Sequence, residues 1–581
     1  MQDNAGAPSP GTGPGPGSGH AMPQPAGNGA GLDFDEATYI RAFPDVAAAL
    51  QRGDLASGWQ HYELAGRAED RLQSEAYRAA RDAVRGRPVQ AAPRVNIDLL
   101  VCSPCGATLV MGWVDDRQDP LREIQIRRPG SAPQVLRQVV RCRRPDVETI
   151  VAGGSRFQFG FWAISGAEPG GWPANALAQQ PCSMTLVFGS GHRQEIDQAA
   201  TTDTDAGLLA RILKTLREAD YPTNRRMAQL DILDAGVGDA VLGIQKSLSG
   251  VLASKAVAER FGPQAPRLRG SIIIPLGNRL QGFFTQSCAY ASCRGIEDYE
   301  FVYVIDSPDL MEPLSREARI AQLTYGLCQT LVLCPGDVGT GGAFNIGASF
   351  ARSDRLVCTG PTVFPGDETW AACHTQIIEA QPCAQTRLFG LPVCGSEGTL
   401  MQCGVYFEPE NLIASTGQDI LRRTVLRPAE QMPVQFIGAR RCRGRHPVPA
   451  VGWAFMSVDR AWFEDLDCFS SDYIAGRYAD LDFCLRSLQR GHPAWIQEGM
   501  MRQFGPAGAP GPGETSDFTL MNQWLLSTRW QSFMTPDLLG RHPSHPALAA
   551  PGHAIAAEPD TLPVARAPRR GRRSSPGPDA P

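Results

Sequence analysis

The feature that most constrains the fold is an alternation of strand and helix patterns between residues 269 and 530. Short apolar runs, typical of strands buried on both faces of a sheet, are separated by stretches with helical periodicity; the runs are "SIIIPL", "EFVYVID", "QTLVLC" and "RLVCTG". This alternation predicts a mostly parallel sheet with right-handed crossovers. Ligands bind such sheets outside the carboxyl ends of the strands, so the residues that follow each run are the candidate site residues.

The rest of the chain changes character several times, and 581 residues exceed what one hydrophobic core fills. Gly- and Pro-rich composition predicts disorder at both ends, and helical, alternating-strand and amphipathic patterns follow one another in between. We predict the following division: disorder over 1–31, a small helical module over 32–80, a β-sandwich-like domain over 95–200, a helical linker over 204–262, an α/β domain over 268–535 and a disordered tail over 536–581.

Charge and cysteine usage argue against several classes of protein. The formal net charge of −5 offers no basic field that would attract nucleic acid. Among the sixteen cysteines, the C-x-x-C from Cys102 to Cys105 has no second pair at zinc-ligand spacing. The chain shows neither a secretion signal nor an apolar stretch of about 20 residues. We therefore expect a cytoplasmic protein that meets the inner membrane only peripherally.

The ordered motifs of the α/β segment resemble those of the family-2 glycosyltransferases of bacterial type, which have the Rossmann-like GT-A fold. The matching stretches keep the family's order: "SIIIPLGNR" (271–279), "EFVYVIDSPD" (300–309), "GDVGTGGAFNIGASFAR" (336–352) and "VGWAFMSVDRAWFEDLDCFSSDYIAGRYADLDFCLR" (451–486). The resemblance implies transfer of a sugar from a UDP- or GDP-sugar to a glycan or lipid-linked acceptor, in bacterial surface-polysaccharide assembly.

The resemblance also implies roles for individual residues. In inverting members an acid of the motif matched by "YADLDFCLR" takes the proton of the acceptor hydroxyl, which makes Asp480 the candidate base. The alternative role for Asp480, and for Asp482, is to cap a helix. Asp306 is expected to accept hydrogen bonds from the nucleotide, or else to cap the "DSPD" turn. A structural cap is likewise the alternative for Asn345. The expected donor-binding residues are Pro275, Asn278, Asp306, Asn345 and Thr362.

The acids that bind a divalent cation in the family are missing here. Residues 360–362 read Gly-Pro-Thr where the family carries an Asp-containing stretch, and Gln503 stands near its late histidine. A hard cation binds carboxylate oxygens, so we expect no metal cofactor; a relocated Mg²⁺ or Mn²⁺ site at Asp367 and Glu368 is the alternative. Three arginines predicted at the crevice edge are expected to neutralise the diphosphate instead: Arg279, Arg477 and Arg502.

Three functions of different classes remain open. The chain is a glycosyltransferase that works without the usual metal site, a catalytically degenerate domain that binds a nucleotide, a glycan or a protein partner, or a structural adaptor. The pattern of residues identifies neither the sugar, the acceptor nor the linkage, and residues 390–450 are too irregular to interpret.

Overall fold

The computed structural model describes most of the chain between residues 34 and 538. The described residues are 34–52, 54–55, 57–78, 93–127, 133–151, 157–168, 181–221, 224–262, 268–277, 280, 282–380, 384–395, 399–416, 419–430, 444–504, 517–535 and 538. The segments predicted to be disordered, 1–31 and 536–581, lie outside them except for Leu538.

The α/β segment forms a nine-stranded mixed sheet. Four central strands run parallel to one another, and the strands at both sides include antiparallel pairs. The spatial order is Val257–Phe261, Cys328–Leu333, Tyr299–Ile305, Gly270–Gly277, Arg355–Thr359, Phe455–Asp459, Leu388–Gly390, Ala494–Ile496 and His446–Val448.

The central strands are apolar because helices cover both faces of the sheet. In Tyr299–Ile305 and Arg355–Thr359 every residue is buried, as a strand without a solvent face requires. Alternate side chains of each strand enter one of two hydrophobic clusters; Ile273 and Val304 belong to the first, and Ile272 and Tyr303 to the second. The helices of this domain are Phe283–Ala291, Met311–Tyr325, Gly339–Phe350, Trp370–Glu379, Ala384–Arg387, Arg460–Asp465, Ala479–Gln489 and Asp517–Trp530.

Two local predictions differ from the structure. The helical pattern expected to run to residue 262 ends at Ala253, and Val257–Phe261 forms an edge strand antiparallel to Cys328–Leu333. The sheet edge offers hydrogen bonds that a short helical end does not, so tertiary pairing overrides the helical pattern there. The glycine-rich stretch predicted as a turn is already helical from Gly339.

Residues 390–450 contain strands that the sequence pattern does not reveal. A second, four-stranded sheet has the order Val363–Pro365, Met501–Gln503, Val393–Gly395 and Leu400–Gln402. A long hairpin follows, in which Val405–Thr416 pairs with Asp419–Glu430. Its second strand lies against helix Asp517–Trp530, where the Ser527 hydroxyl accepts a hydrogen bond from the Leu426 amide at 2.8 Å.

Residues 94–202 form two sheets that share one hydrophobic core. The first has the order Val139–Cys142, Gly160–Ser165, Thr108–Asp115, Arg94–Cys102 and Thr201–Thr202; the second has the order Gln134–Leu136, Leu121–Arg127, Pro181–Phe188 and Arg193–Ala199. Phe161 and Val110 from the first sheet meet Ile124 and Leu186 from the second. A short helix, Pro145–Val151, follows Val139–Cys142. The helices of the predicted linker are Asp205–Glu218, Arg225–Ile232 and Gly238–Ala253.

The N-terminal unit is a small helical cluster around aromatic side chains. Its helices begin where the sequence places caps: the Asp35 carboxylate accepts a hydrogen bond from the Thr38 amide at 3.1 Å, and Pro44 occupies the first position of the next helix. Tyr39, Tyr62 and Tyr77 are buried at the centre. The elements are Glu36–Ala42, Pro44–Arg52, Gly58–His61, Tyr62–Gly66 and Arg71–Gln73. In the described part of the chain, no helix has both the length and the apolar character needed to cross a bilayer.

Candidate functional site

The order of the parallel strands indicates where a ligand crevice is expected. Along the chain, the first three parallel strands are laid down in one direction from Gly270–Gly277, and the fourth, Arg355–Thr359, is added on the other side of that first strand. The connections therefore diverge between Gly270–Gly277 and Arg355–Thr359. Open α/β sheets bind ligands at the carboxyl ends of the strands beside such a switch point. Pro275 lies near the end of one of these strands, and Thr362 lies in the turn after the other.

Asp306 follows the neighbouring strand at the same edge. Its amide donates a hydrogen bond to the Gly277 carbonyl at 3.4 Å, and Gly277 has a positive φ of 59°. A Cβ on Gly277 would make only an ordinary contact with the Asp306 carboxylate, at 3.4 Å, so the positive φ rather than a lack of space favours glycine here. Partial burial, together with the negative charge of Asp337, raises the pKa of Asp306. Asp337 itself accepts a hydrogen bond from the Gly339 amide at 2.7 Å.

The turn that stands in place of the family's acidic stretch is held by neighbouring elements. The Gln286 side chain is fully buried, and its Nε2 donates to the carbonyls of Gly360 at 3.0 Å and Val363 at 2.9 Å. On the other side, the Phe504 amide donates to the Thr362 carbonyl at 3.0 Å. Val363 pairs with Gln503 in the small sheet. The two positions where the resemblance leads one to expect metal ligands, 362 and 503, are therefore adjacent in space.

Asp480 lies near the carboxyl end of strand Arg355–Thr359. Its Oδ2 accepts a hydrogen bond from the Trp453 amide at 3.1 Å, and its Oδ1 accepts one from the Leu481 amide at 2.9 Å. Burial, and secondarily the charge of Asp480, raise the pKa of the Cys358 thiol in this strand. Because one strand separates Arg355–Thr359 from the strand before Asp306, the ends of these two strands lie about 10 Å apart, two inter-strand spacings. Asp480 is only 4% exposed.

Asp482, two residues further along, is held in a different environment. Its carboxylate accepts hydrogen bonds from the Trp530 indole at 2.9 Å and the Tyr473 hydroxyl at 3.2 Å, and it pairs with Arg486 at 2.9 Å. Arg529 lies 3.5 Å away. These contacts join helix Ala479–Gln489 to helix Asp517–Trp530, as expected of a residue that stabilises the fold.

The glycine-rich helix start and Asn345 are engaged by the protein itself. A Cβ on Gly339 would lie 2.3 Å from the backbone of Ala475, and one on Gly476 would lie 2.2 Å from the Gly341 amide nitrogen. These glycines therefore permit a close backbone contact between the helix N terminus and the loop before helix Ala479–Gln489. The Asn345 side chain both donates to the Phe469 carbonyl, at 2.8 Å, and accepts from its amide, at 3.0 Å.

Two of the three predicted arginines are described by the structure, whereas the third and the predicted donor contact Asn278 are not. Arg502 is exposed on strand Met501–Gln503, opposite Phe364 and beside the 360–362 turn. Arg477 lies in the loop before helix Ala479–Gln489, and its Nη1 donates to the Thr519 hydroxyl at 3.1 Å. Asn278 and Arg279 lie outside the described residues.

A divalent cation would find few ligands among the described residues of the crevice. The described part of the chain contains no group of three or more His, Cys, Asp or Glu side chains arranged to hold a metal ion. At the turn, the Thr362 carbonyl is occupied by the Phe504 amide, and the Thr359 hydroxyl donates to the Ala454 carbonyl at 2.9 Å. Asp367, part of the proposed relocated site, accepts from the Thr369 amide at 2.8 Å beside the start of the next helix.

Several residues near the crevice are absent from the sequence prediction. Gln286 supports the 360–362 turn from a helix whose pattern is otherwise apolar, and Asp337 faces Asp306 from the next strand end. Gln402 and Gly452 lie beside Asp480. Asp337 comes shortly after an apolar run, so the rule that residues following such runs lie at the sheet edge identifies it. Gln402 comes from a segment without clear periodicity. Gly452 lies in the matched stretch 451–486, but nothing in that stretch indicates its contact with Gln402.

Comparison with solved structures finds partial similarity to two nucleotide-sugar enzymes. One is GalNAc-T7, solved with UDP, GalNAc and Mn²⁺, with 13% identity and a TM-score of 0.30. The match covers 42% of this chain and 45% of GalNAc-T7, less than half of that protein's length. The other is the mannosyltransferase PcManGT from Pyrobaculum calidifontis, solved with GDP-Man and Mn²⁺, with 15% identity, a TM-score of 0.32, and coverage of 59% of this chain and 80% of that one. The sequence matches no protein-family model and no curated protein.

Proposed function

We propose that this chain is a glycosyltransferase that moves a sugar from a UDP- or GDP-sugar to a glycan or lipid-linked acceptor, with inversion at the anomeric carbon. The observation that carries the proposal is the switch point between strands Gly270–Gly277 and Arg355–Thr359, with Asp306 and Asp480 at the carboxyl edge of the same sheet. The motif order of the family-2 glycosyltransferases supports the choice of ligand, because the matching residues lie at this edge.

In the proposed reaction, Asp306 accepts hydrogen bonds from the nucleotide and Asp480 receives the proton of the acceptor hydroxyl as that oxygen attacks the anomeric carbon. The bond between the anomeric carbon and the diphosphate breaks, and the nucleoside diphosphate leaves. The backbone amides of Trp453 and Leu481 hold the two carboxylate oxygens of Asp480, which fixes the orientation of the base.

Positive charge for the leaving diphosphate comes, in this proposal, from arginine. Arg502 is exposed on the strand that pairs with Val363–Pro365, so its guanidinium is placed beside the turn where a cation would otherwise be expected. Arg477 is a second candidate. The reaction is placed at the cytoplasmic face of the inner membrane, with peripheral attachment, because lipid-linked acceptors are available there.

A second function is favoured by a specific observation. Asp480 is only 4% exposed, and the described residues contain no carboxylate set for a cation. Both observations fit a domain that binds a nucleotide sugar without transferring it. Such a domain would present the bound ligand, or its own sheet edge, to a partner.

Calorimetric titration with a panel of UDP- and GDP-sugars, with Mn²⁺ and with EDTA, distinguishes these functions. We expect binding that is independent of Mn²⁺, weaker in Arg502→Ala, and accompanied by slow donor hydrolysis and transfer. Binding without any turnover would favour the second function. No binding of any nucleotide sugar would refute both and leave the role of a structural adaptor.

A further inference from the structure

A glycine, an amide and the candidate base converge at one point of the crevice. A Cβ built on Gly452 would lie 2.4 Å from Nε2 of Gln402 and 3.4 Å from Oδ2 of Asp480. Gly452 does not have a positive φ, so backbone conformation does not require glycine here. The absent side chain instead lets the end of the Gln402 side chain approach the backbone beside the Asp480 carboxylate.

The two polar groups are close enough for one ligand hydroxyl to contact both. Because Nε2 of Gln402 and Oδ2 of Asp480 lie 2.4 Å and 3.4 Å from the same point, they are at most about 6 Å apart. A hydroxyl oxygen about 2.8 Å from each atom, on the side away from the Gly452 backbone, would make hydrogen bonds to both. Among the residues that the structure describes, no hydrogen-bond partner is found for the Gln402 amide, which is partly exposed.

The backbone amide that holds the Asp480 carboxylate belongs to a well-packed tryptophan. The Trp453 ring stacks on Phe344 at 4.9 Å with an interplanar angle of 16°, and it meets the Phe469 ring edge-on at 4.7 Å. Packing on two sides fixes the backbone of residue 453, whose amide in turn holds Oδ2 of Asp480. The carboxylate therefore keeps its orientation while the Gln402 side chain, on strand Leu400–Gln402, is free to adjust to a ligand.

We propose that Gln402, Gly452 and Asp480 form the subsite for the acceptor hydroxyl, and that Gln402 is a substrate-positioning residue. The proposal rests on the proposed function for the identity of the reaction. The acceptor oxygen accepts a hydrogen bond from the Gln402 amide through one lone pair and attacks the anomeric carbon with the other. Its proton passes to Asp480, and the bond from the anomeric carbon to the diphosphate breaks. The expected ligand is a hydroxyl group of a sugar residue.

Two variants perturb this subsite without removing the base. Gln402→Leu keeps most of the side-chain volume but removes the amide. Gly452→Ala adds a methyl group that displaces the far end of the flexible Gln402 side chain rather than backbone, so the fold is expected to survive. Gly250→Ala is the matched control, because a Cβ there has no neighbour within 4 Å.

The test measures transfer to a panel of methyl glycosides, donor hydrolysis and donor affinity in each protein. We expect Gln402→Leu and Gly452→Ala to raise the acceptor KM about tenfold or more, the loss that one hydrogen bond of roughly 1.4 kcal/mol would produce, while donor Kd and hydrolysis stay within twofold. Gly250→Ala should change none of these. Equal acceptor KM values in all four proteins would overturn the subsite and leave the proposed function intact.

A binding measurement covers the case of an inactive wild type. Saturation-transfer NMR with the same methyl glycosides should show binding to wild-type protein and to Gly250→Ala, and loss of that binding in Gly452→Ala and Gln402→Leu. If wild-type protein transfers no sugar yet shows this pattern, the proposed function fails and the hydroxyl subsite stands. If the four proteins bind alike, or none binds, the subsite is refuted.

Discussion

The backbone amide of Phe504 donates a hydrogen bond to the carbonyl of Thr362 at 3.0 Å, across 142 positions of sequence. This contact brings together the turn that lacks the family's acidic stretch and the strand that lacks its late histidine. The two departures from the family pattern therefore concern one place in the fold. A chain that carried an acid at one position and a histidine at the other would have the start of a metal site there; this chain has a threonine, a glutamine and the nearby Arg502.

Replacing Asp306 by alanine should remove donor binding. A hydrogen bond to a charged group contributes about 1.5–3 kcal/mol, and the carboxylate is expected to accept such bonds from the nucleotide. We expect Kd to rise about 10- to 100-fold by calorimetry. Asp309→Ala, an exposed acid in the following turn, is the control and should bind normally. An unchanged Kd in Asp306→Ala would show that the nucleotide lies elsewhere.

As pH falls, donor binding should weaken at a higher pH than it would if Asp306 had the pKa of an ordinary aspartate. Burial and the charge of Asp337 raise the pKa of Asp306, so its acceptor form is lost as pH falls through that raised pKa. Asp337→Asn removes the second cause while keeping an oxygen that accepts from the Gly339 amide. Its Kd–pH curve should shift to lower pH relative to wild type; coincident curves would exclude coupling between the two acids.

Asp480→Asn should leave donor affinity unchanged and remove turnover. A positioned general base contributes roughly 10²- to 10⁴-fold to rate, and an amide cannot take the acceptor proton. Initial rates of transfer and calorimetric Kd, measured on the same preparation with circular dichroism as a check of folding, separate the two effects. Turnover equal to that of wild type would rule out Asp480 as the base.

Asp482→Ala should destabilise the fold rather than act on the reaction specifically. The substitution leaves Arg486 without this ion-pair partner and leaves the Trp530 indole and the Tyr473 hydroxyl without this acceptor. Removing one partner of a buried ion pair costs about 3–5 kcal/mol. Asp465→Ala, which breaks the exposed pair with Arg490, should cost less than about 1 kcal/mol. Urea unfolding followed by tryptophan fluorescence measures both; equal midpoints would contradict a structural role for Asp482.

Gly347→Ala should overpack the interface between helix Gly339–Phe350 and the sheet. The new Cβ would lie 2.4 Å from Cγ2 of Ile273 and 3.2 Å from Cγ2 of Val304, and overpacking costs about 1–3 kcal/mol. Gly250→Ala in an open helix position should instead raise stability by up to about 1 kcal/mol. Thermal unfolding should therefore shift in opposite directions for the two variants, and a parallel shift would disprove this packing argument.

Local patterns predicted which strand ends meet at the carboxyl edge of the sheet. The apolar runs mark the central strands because a strand covered on both faces must be apolar along its length, and an acid directly after such a run, as at Asp306, must lie at the sheet edge. The same reasoning applies to Pro275 and to the turn at 360–362. The spacing of these elements in the chain also carries the motif order on which the resemblance depends.

Interactions between distant segments decided the rest. Asn345 could face a ligand or a backbone by its local pattern, and only folding brings Phe469 to it, 124 positions away. Val257–Phe261 has a helical context, yet the open sheet edge makes it a strand. Gly452 and Asp480 lie in one matched stretch, 451–486, but no pattern in it indicates Gln402, which meets them because separate elements pack together. Periodicity reports which face of an element is buried, whereas the partner that buries it depends on the packing of the whole chain.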